Sequence, residues 1–261
     1  MTSFSQWYPQ LIRTAIDEVI DAPRTGRFML DEIEKTEKTY IGTKIEILLR
    51  NRLQIPKGTV LDLSVNGVEC DIKNTIGKNW SMPNEVVGHP SIVMRVNEKK
   101  ALLDFGVLVV AQAYLNPGAN RDAKRGISAA GMSNIWWILK QASYPSNFWE
   151  VTPAATRKAI FAAGSPKRSL AVLFESVQGV PIPRTVVTAI AQQDDPLKRV
   201  RRNGGARDIL APRGIAILWG KNDRALIAQL TLPFCTDQEF VSHTPRNAAE
   251  AALLRHNGHI D

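Results

Sequence analysis

The sequence predicts two domains of different fold class, a mixed α/β or α+β domain over residues 1–150 and a mainly helical domain over residues 151–261. The apolar residues of the first part follow a helical and then a strand-like period, whereas those of the second part are mainly helical in period. The segment Pro145–Pro153 has the composition of a linker. The second part is also more basic, with 15 Lys and Arg against 9 Asp and Glu, compared with 18 against 16 in the first.

The first domain is predicted to begin with two helices and a hairpin. Apolar residues at helical spacing indicate a helix over Phe4–Ile20 and another from about Asp31 to Leu53. The hairpin covers Val60–Lys73 and turns at Asn66-Gly67, a pair that favours a tight turn between strands. The remaining predicted elements are strands over 92–96 and 101–113 and a buried helix over Ser128–Gln141, whose Trp136 and Trp137 are expected in the core.

The second domain is predicted to be a winged helix-turn-helix. Its predicted helices cover 156–163, 165–177, 183–192 and 196–210, followed by strands over 214–218 and 225–230 and one short helix within 245–261. Ser165-Pro166 favours the start of a helix, because serine caps the first turn and proline fits its first position. Helices closed by a two-stranded hairpin are typical of the winged DNA-binding fold.

Composition excludes several classes of protein. A chain with 44% hydrophobic and 22% charged residues is typical of a globular protein, and no apolar run has the length of a membrane span. The polar residues within the first 21 positions argue against a secretory signal, so we expect a cytoplasmic protein with no membrane partner. Two distant cysteines cannot form a disulfide framework. No Walker or Rossmann motif occurs, so no nucleotide cofactor is expected.

The strongest functional signal is the stretch Glu69-Cys70-Asp71-Ile72-Lys73 in the second arm of the hairpin. Asp71 and Lys73 are two residues apart on a strand and therefore face the same way. A carboxylate in this position can hold a divalent metal, while the ammonium stabilises or activates groups at a scissile phosphate. Asp62 lies nine residues before Asp71, and Glu46 lies sixteen before Asp62 on the predicted helix.

Glu46, Asp62, Asp71 and Lys73 therefore predict the catalytic core of a metal-dependent phosphodiesterase. We expect one Mg²⁺ ion, held by Asp71, Asp62 and the backbone carbonyl of Ile72, with Glu46 completing the shell or positioning a second ion. An Asp-x-Lys triplet alone is usually a surface ion pair, and the ordered set of four residues is what favours a site. Glu69 has two open interpretations, a part of the site or a rim carboxylate paired with an arginine.

Two basic segments predict contact with nucleic acid. In the predicted helix 196–210, Lys198, Arg201 and Arg202 have the spacing of one helix face, which would suit a DNA major groove or, alternatively, solvent. The residues expected to contact DNA are Asn120, Arg121, Lys124 and Arg125 in a loop of the first domain, and Gln192, Gln193, Lys198, Arg199, Arg201, Arg202 and Arg207 in the second.

The chain resembles the NaeI family of type II restriction endonucleases over roughly residues 30–232. The resemblance lies in an ordered set of segments, which are specific together although weak singly. They are Ile41-Gly42-Thr43, Ile45-Glu46-Ile47, Asp62, Val68-Glu69-Cys70-Asp71-Ile72-Lys73, Gly88-His89, Asn120-Arg121-Asp122-Ala123-Lys124, Ser128-Ala129-Ala130-Gly131, Ala191-Gln192-Gln193-Asp194-Asp195, Lys198-Arg199-Val200-Arg201, Asn203-Gly204-Gly205-Ala206-Arg207 and Arg213-Gly214-Ile215.

This resemblance implies a nuclease domain with the restriction-endonuclease fold, followed by a winged-helix domain that engages a second copy of the recognition site. It also implies a homodimer acting on double-stranded DNA. The metal-site residues of the family correspond to Glu46, Asp62, Asp71 and Lys73 in this sequence, the same residues that the predicted helix and hairpin indicated.

The function that we predict from the sequence is a Mg²⁺-dependent type II restriction endonuclease that cuts both DNA strands at a specific sequence and leaves 5′-phosphate and 3′-hydroxyl ends. Because each chain carries one site and two strands are cut, a two-fold homodimer is expected. The alternatives are a nicking or mismatch-repair endonuclease, and a winged-helix transcription regulator that lacks catalysis.

Overall fold

The fold is given by a computed structural model that describes residues 3–192 and 195–261. Its α-helices are α1 (Phe4–Ile20), α2 (Ala22–Thr25), α3 (Lys35–Leu53), α4 (Ala129–Ser133), α5 (Phe148–Val151), α6 (Ala154–Ala162), α7 (Pro166–Ser176), α8 (Arg184–Ala191), α9 (Arg207–Leu210), α10 (Arg224–Gln229) and α11 (Ala248–His256). Its strands are β1 (Leu63–Val65), β2 (Val68–Thr75), β3 (Ser81–Met82), β4 (Pro90–Asn97), β5 (Leu102–Val109), β6 (Leu115–Ala119), β7 (Arg125–Ile127), β8 (Trp136–Ser143), β9 (Ile182–Pro183), β10 (Ala216–Trp219) and β11 (Glu239–His243). None of the helices in those residues has both the length and the apolar character needed to cross a membrane.

The chain divides into two compact units. The first comprises the segment up to Ile20 together with Met29–Asn147, and the second comprises Asp21–Phe28 together with Phe148–Asp261. The division after Asn147 falls within the linker segment that the sequence indicates. The inclusion of Asp21–Phe28 in the second unit was not predicted, and it follows from aromatic packing. The ring of Phe28 lies 5.5 Å from that of Phe161, and the guanidinium of Arg157 lies 5.0 Å from the Phe28 ring centre.

A mixed sheet with the strand order β1-β2-β4-β5-β8 forms the centre of the first unit. Strands β2 and β4 are parallel, and the other neighbouring pairs are antiparallel. Helices α1 and α3 pack together, and α3 buries Ile41, Ile45 and Leu49, which recur at intervals of four residues along one face. The mixed α/β character predicted for this part of the chain is confirmed.

The hairpin predicted around Asn66-Gly67 is also confirmed. Strands β1 and β2 pair with Val65 opposite Val68, and the two turn residues have φ values of 52° and 81°. Asn and Gly are the residues that adopt positive φ most readily, which explains why the chain reverses at this point. The hairpin carries β2 into the sheet beside β4, with Asp71 opposite Ser91.

A smaller sheet with the order β3-β7-β6 lies in the same unit. Its buried side chains Met82, Leu115 and Ile127 share one hydrophobic core with Val93 and Leu108 of the main sheet. The β6–β7 hairpin ends in a tip formed by residues 120–124, so the core fixes the base of that hairpin while its tip stays at the surface.

The prediction of a helix over Ser128–Gln141 is wrong for most of that segment. The hydroxyl of Ser128 accepts a hydrogen bond from the N–H of Gly131 at 3.2 Å and starts a helix, but α4 ends at Ser133. The chain then forms β8, which pairs with β5 at the edge of the sheet. Trp136, Trp137 and Ile138 are aromatic or β-branched residues of the type that favours strands. Trp136 is 72% exposed and is not a core residue.

The second unit contains α6, α7 and α8 close to their predicted positions, and its sheet has the order β10-β11-β9. The Ser165 cap is confirmed, because its hydroxyl accepts a hydrogen bond from the N–H of Arg168 at 3.4 Å. The prediction of a strand over 225–230 is wrong, because this segment forms helix α10. Leu226 and Ile227 of α10 and Leu230 directly after it are buried at helical spacing, and the strand that pairs with β10 is β11.

The predicted helix over 196–210 is broken. A 3-10 helix covers Pro196–Arg199, turns follow, and α9 begins only at Arg207. Asn203 and Gly204 have φ values of 66° and 114°, which a continuous helix does not allow. A Cβ atom on Gly205 would lie 2.7 Å from the Arg201 nitrogen, so the turn needs a glycine there. Lys198, Arg201 and Arg202 therefore do not share one face of a helix.

Candidate active site

The four predicted catalytic residues all lie in the first unit, on the hairpin and the helix before it. Asp71 and Lys73 are on β2, inside the sheet, and the Asp71 residue is only 3% exposed. Asp62 is the last residue before β1, and Glu46 is on α3, which contacts β2. The parallel pairing of β2 with β4 places Ser91 beside Asp71.

The Lys73 ammonium is the point at which oxygen atoms of this site converge. It donates a short hydrogen bond to Asp71 Oδ1 and a longer one, 3.3 Å, to the Ile72 carbonyl. The carboxylate of Asp62 lies 3.8 Å from the same ammonium. The Ile72 N–H donates to Asp62 Oδ2 at 2.8 Å, which orients that carboxylate toward the strand. Two carboxylates and one carbonyl thus surround one positive charge.

Ser91 is a member of this site that the sequence reasoning missed. Its hydroxyl is fully buried and donates to Asp71 Oδ2 at 2.8 Å. Burial raises the pKa of Asp71, and the hydrogen bonds from Lys73 and Ser91 offset only part of that rise. Ser91 could not be found from local pattern, because it reaches Asp71 only through the pairing of β4 with β2.

Glu46 is linked to the cluster by electrostatics. Burial raises the pKa of Glu46, and the negative charge of Asp62 raises it further, whereas Arg50 and Lys73 act in the opposite direction. The Arg50 guanidinium, one helical turn away, lies 3.7 Å from Glu46 Oε1. Arg50 is a second residue that the sequence reasoning did not select, although its i, i+4 spacing to Glu46 could have indicated the contact.

Within the described parts of the chain, no three His, Cys, Asp or Glu side chains are grouped closely enough to form a metal site by themselves. The donor set around Lys73 nevertheless fits a small divalent cation in chemical type. Carboxylate and carbonyl oxygens are the ligands that Mg²⁺ takes in proteins. The positive charge at the point where these oxygens meet is the ammonium of Lys73.

Glu69 does not point at this cluster. Its carboxylate accepts hydrogen bonds from the backbone N–H groups of Thr59, Val60 and Leu61, at 2.8, 3.1 and 2.7 Å. The bonds from Leu61 and Thr59 lower the pKa of Glu69 below its ordinary value. Glu69 therefore binds backbone amides, which neither of its two predicted interpretations included.

The chain is similar to a known family of enzymes. A profile of the family described as restriction endonuclease NaeI matches residues 6–253. The type II restriction enzyme NaeI of Lentzea aerocolonigenes is 34% identical over 232 residues, which cover 85% of this chain and 73% of that enzyme. The chain belongs to the NaeI restriction endonuclease family. This membership confirms the prediction of a type II restriction endonuclease, a site-specific deoxyribonuclease.

The predicted DNA-contact loop of this NaeI-family chain forms the tip of the β6–β7 hairpin. The side-chain oxygen of Asn120 accepts from the N–H groups of Asp122 and Lys124 at 3.0 and 2.9 Å, so Asn120 shapes the tip. Arg121 is exposed and Lys124 partly exposed. Arg125 donates to Gln112 Oε1 at 2.6 Å, a partner that the sequence reasoning missed.

The cations predicted to contact DNA from the second unit lie in a broken helical segment and differ in exposure and partners. Lys198 is exposed, Arg201 lies 3.9 Å from Asp195, and Arg202 lies 3.1 Å from Asp261. The side chain of Arg207 is only 23% exposed and donates to the Ile217 carbonyl at 2.7 Å, which gives it a structural role. The partly buried Arg199 and the exposed Gln192 complete the set, and Gln193 lies outside the described residues.

Proposed function

We propose that this NaeI-family enzyme cuts both strands of duplex DNA at a specific sequence in a Mg²⁺-dependent reaction, leaving 5′-phosphate and 3′-hydroxyl ends. The observation that supports this most strongly is the convergence of Asp71, Asp62 and the Ile72 carbonyl on the Lys73 ammonium. Phosphodiester hydrolysis requires positive charge where the pentavalent phosphate forms.

Mg²⁺ would be held by Asp62, Asp71 and the Ile72 carbonyl, with Glu46 as a further ligand, directly or through water. When bound, the ion would supply Lewis-acid stabilisation of the phosphate and acidify a water molecule. The hydrogen bonds from the Ile72 N–H to Asp62 and from Ser91 to Asp71 orient both carboxylates in advance. Lys73 would neutralise the paired carboxylates without metal and would present its ammonium to the phosphate during catalysis.

DNA would be contacted from both units. In the first, Arg121, Lys124 and Arg125 on the β6–β7 hairpin would neutralise phosphates, because their side chains are at least partly exposed on one short segment. In the second, Lys198, Arg199, Arg201 and Arg202 would do the same from a turn segment and not from a recognition helix. Asn120 and Arg207 would act by shaping these segments. Contacts by Gln192 and Gln193 stay predictions.

The second unit would be a modified winged helix. The chain order of α7, β9, α8, β10 and β11 supports this, as does the pairing of the short first strand β9 with the last strand β11. In this arrangement the segment between β10 and β11 contains α10, so the wing would carry a helix.

Two chains would act together, since one site per chain cuts one strand at a time and a two-fold dimer presents a site to each strand. An enzyme that acts on intracellular DNA works in the cytoplasm, which is where we propose that this one functions.

Digestion of a plasmid library with Mg²⁺, followed by sequencing of the new ends, tests the proposal. We expect linear products with one recurring end sequence.

Lys73→Ala should reduce cleavage by about 100-fold or more while DNA binding stays within a few-fold. Lys99→Ala, which removes an exposed lysine elsewhere in this unit, should cut normally. Open circles alone would favour a nicking enzyme, and metal-independent binding without cleavage would favour a DNA-binding regulator.

A further inference from the structure

The segment Gly58–Asp62, which leads into β1, is wrapped around one carboxylate. Three consecutive backbone N–H groups, those of Thr59, Val60 and Leu61, donate to the side chain of Glu69. Oε1 accepts one of these bonds and Oε2 accepts the other two. Successive amides that point at one anion form a nest, an arrangement that defines the path of the backbone around the charge.

Gly58 shows how closely the loop follows that carboxylate. A Cβ atom at this position would lie 2.5 Å from Glu69 Oε2 and 2.8 Å from the Leu63 carbonyl oxygen. Both distances are shorter than a carbon atom tolerates, so only glycine allows the loop to close here. The loop is also closed on itself, because the Gly58 N–H donates to the Asp62 carbonyl at 3.3 Å.

Asp62 is the last residue of this loop and the one that reaches the site. Its carboxylate accepts from the Ile72 N–H at 2.8 Å and lies 3.8 Å from the Lys73 ammonium. Beyond it, β1 is fixed by the pairing of Leu63 with Cys70. The position of Asp62 is therefore set on one side by the sheet and on the other by the loop that Glu69 holds.

We propose that Glu69 is a positioning residue, which presents Asp62 to the metal site through the backbone of Thr59–Leu61 and does not bind the metal itself. This inference rests on the proposed function, because it takes Asp62 as a metal ligand. Both Glu69 oxygens already accept hydrogen bonds from the loop, so metal binding by Glu69 would require the loop to be released.

Residues that orient metal ligands typically change metal affinity by about 10- to 100-fold when they are replaced. Glu69→Gln keeps the size of the side chain but replaces one carboxylate oxygen with an NH2 group. This donor would face the backbone N–H groups that the oxygen accepts from in the wild-type protein. We expect the amides of Thr59–Leu61 to lose protection in hydrogen exchange of the metal-free protein. We also expect Mn²⁺ binding, followed by electron paramagnetic resonance, to weaken by about tenfold or more.

Cleavage kinetics separate positioning from catalysis. In Glu69→Gln the Mg²⁺ concentration for half-maximal cleavage should rise, while the rate at saturating Mg²⁺ should return to within a few-fold of the wild-type rate. Gly58→Ala, which distorts the same loop and leaves Glu69 intact, should reproduce this pattern. Glu85→Gln, which neutralises an exposed glutamate of the same unit, should change neither exchange nor metal binding.

Three results would overturn the inference. They are unchanged exchange of the Thr59–Leu61 amides in Glu69→Gln, unchanged Mn²⁺ affinity despite faster exchange, and loss of Mn²⁺ binding with exchange still slow, which would make Glu69 a ligand. If the wild-type protein binds no Mn²⁺, the proposed metal site fails, and with it the role of Glu69 toward a metal. The exchange data would then still decide whether Glu69 holds the loop.

Discussion

Two buried aspartates on the main sheet form ion pairs of similar composition in different surroundings. Asp71 on β2 pairs with Lys73, and Asp104 on β5 pairs with Arg95 of β4. The two aspartates are 3% and 2% exposed, and both partners are partly buried cations of the same sheet. The two pairs therefore allow a structural acid to be compared with the acid that we propose for the reaction.

The difference lies in how completely each carboxylate is satisfied. Asp104 accepts from the N–H of Gln141 at 2.7 Å, from the Gln141 side chain, and from Arg95 through two nitrogens. Burial alone would raise the pKa of Asp104, but these donors together lower it below its ordinary value. The pKa of Asp71 is raised, because burial outweighs the bonds from Lys73 and Ser91 and because Asp62 adds a second negative charge. Perturbed acids of this kind are concentrated in functional sites.

The largest expected effect is the loss of activity in Asp71→Asn. Removing this carboxylate takes away a proposed metal ligand, so cleavage of plasmid DNA should fall by about 100-fold or more. The thermal midpoint should stay the same or rise, because the replaced group is a buried charge with few donors. Cleavage within a few-fold of wild type would contradict the proposed role of Asp71.

Asp104→Asn should show the opposite pattern. The amide cannot satisfy Arg95 and the Gln141 donors together, so the free energy of unfolding should fall by about 1–3 kcal/mol. Cleavage measured well below the thermal midpoint should remain close to the wild-type rate. Urea unfolding checks the first expectation. An unchanged unfolding free energy would mean that Asp104 is not a structural anchor.

The smallest expected effect is on the pH dependence of the contribution that Asp104 makes to the free energy of unfolding. Because folding lowers the pKa of Asp104, its contribution is fully present above the unfolded pKa of about 3.9 and is lost as the pH falls through the folded value. The difference in unfolding free energy between wild type and Asp104→Asn should therefore shrink below about pH 4. Urea unfolding between pH 3 and 6 measures it, and a difference that grows toward acid pH would have the wrong sign.

Features that depend on neighbouring residues in the sequence were predictable. Helix α1, the Ser165 cap and the Asn66-Gly67 turn follow from local spacing and conformational preference. The proximity of Asp62, Asp71 and Lys73 also follows from local sequence, because the hairpin that brings them together is short. Ser91 and Gln141 could not be found in this way, since each meets its aspartate only through strand pairing.

The two wrong predictions in the second unit, for 225–230 and 196–210, have local causes that the spacing of apolar residues does not reveal. Ala225–Leu230 is an apolar run too short to show its period, and the helix forms because Leu226, Ile227 and Leu230 all reach the core. In 196–210 the basic residues resemble one helix face, but Asn203 and Gly204 turn the chain. Lysine and arginine favour helices, but their preference does not keep this segment helical where Asn203 and Gly204 adopt positive φ.

The most direct test of the account is a Mn²⁺ titration of the metal-free protein, followed by electron paramagnetic resonance, for wild type, Asp71→Asn and Asp104→Asn. We expect wild type and Asp104→Asn to bind the ion with equal affinity and Asp71→Asn to lose binding. Equal binding by Asp71→Asn, or no binding by the wild-type protein, would contradict the claim that the carboxylates around Lys73 form the metal site.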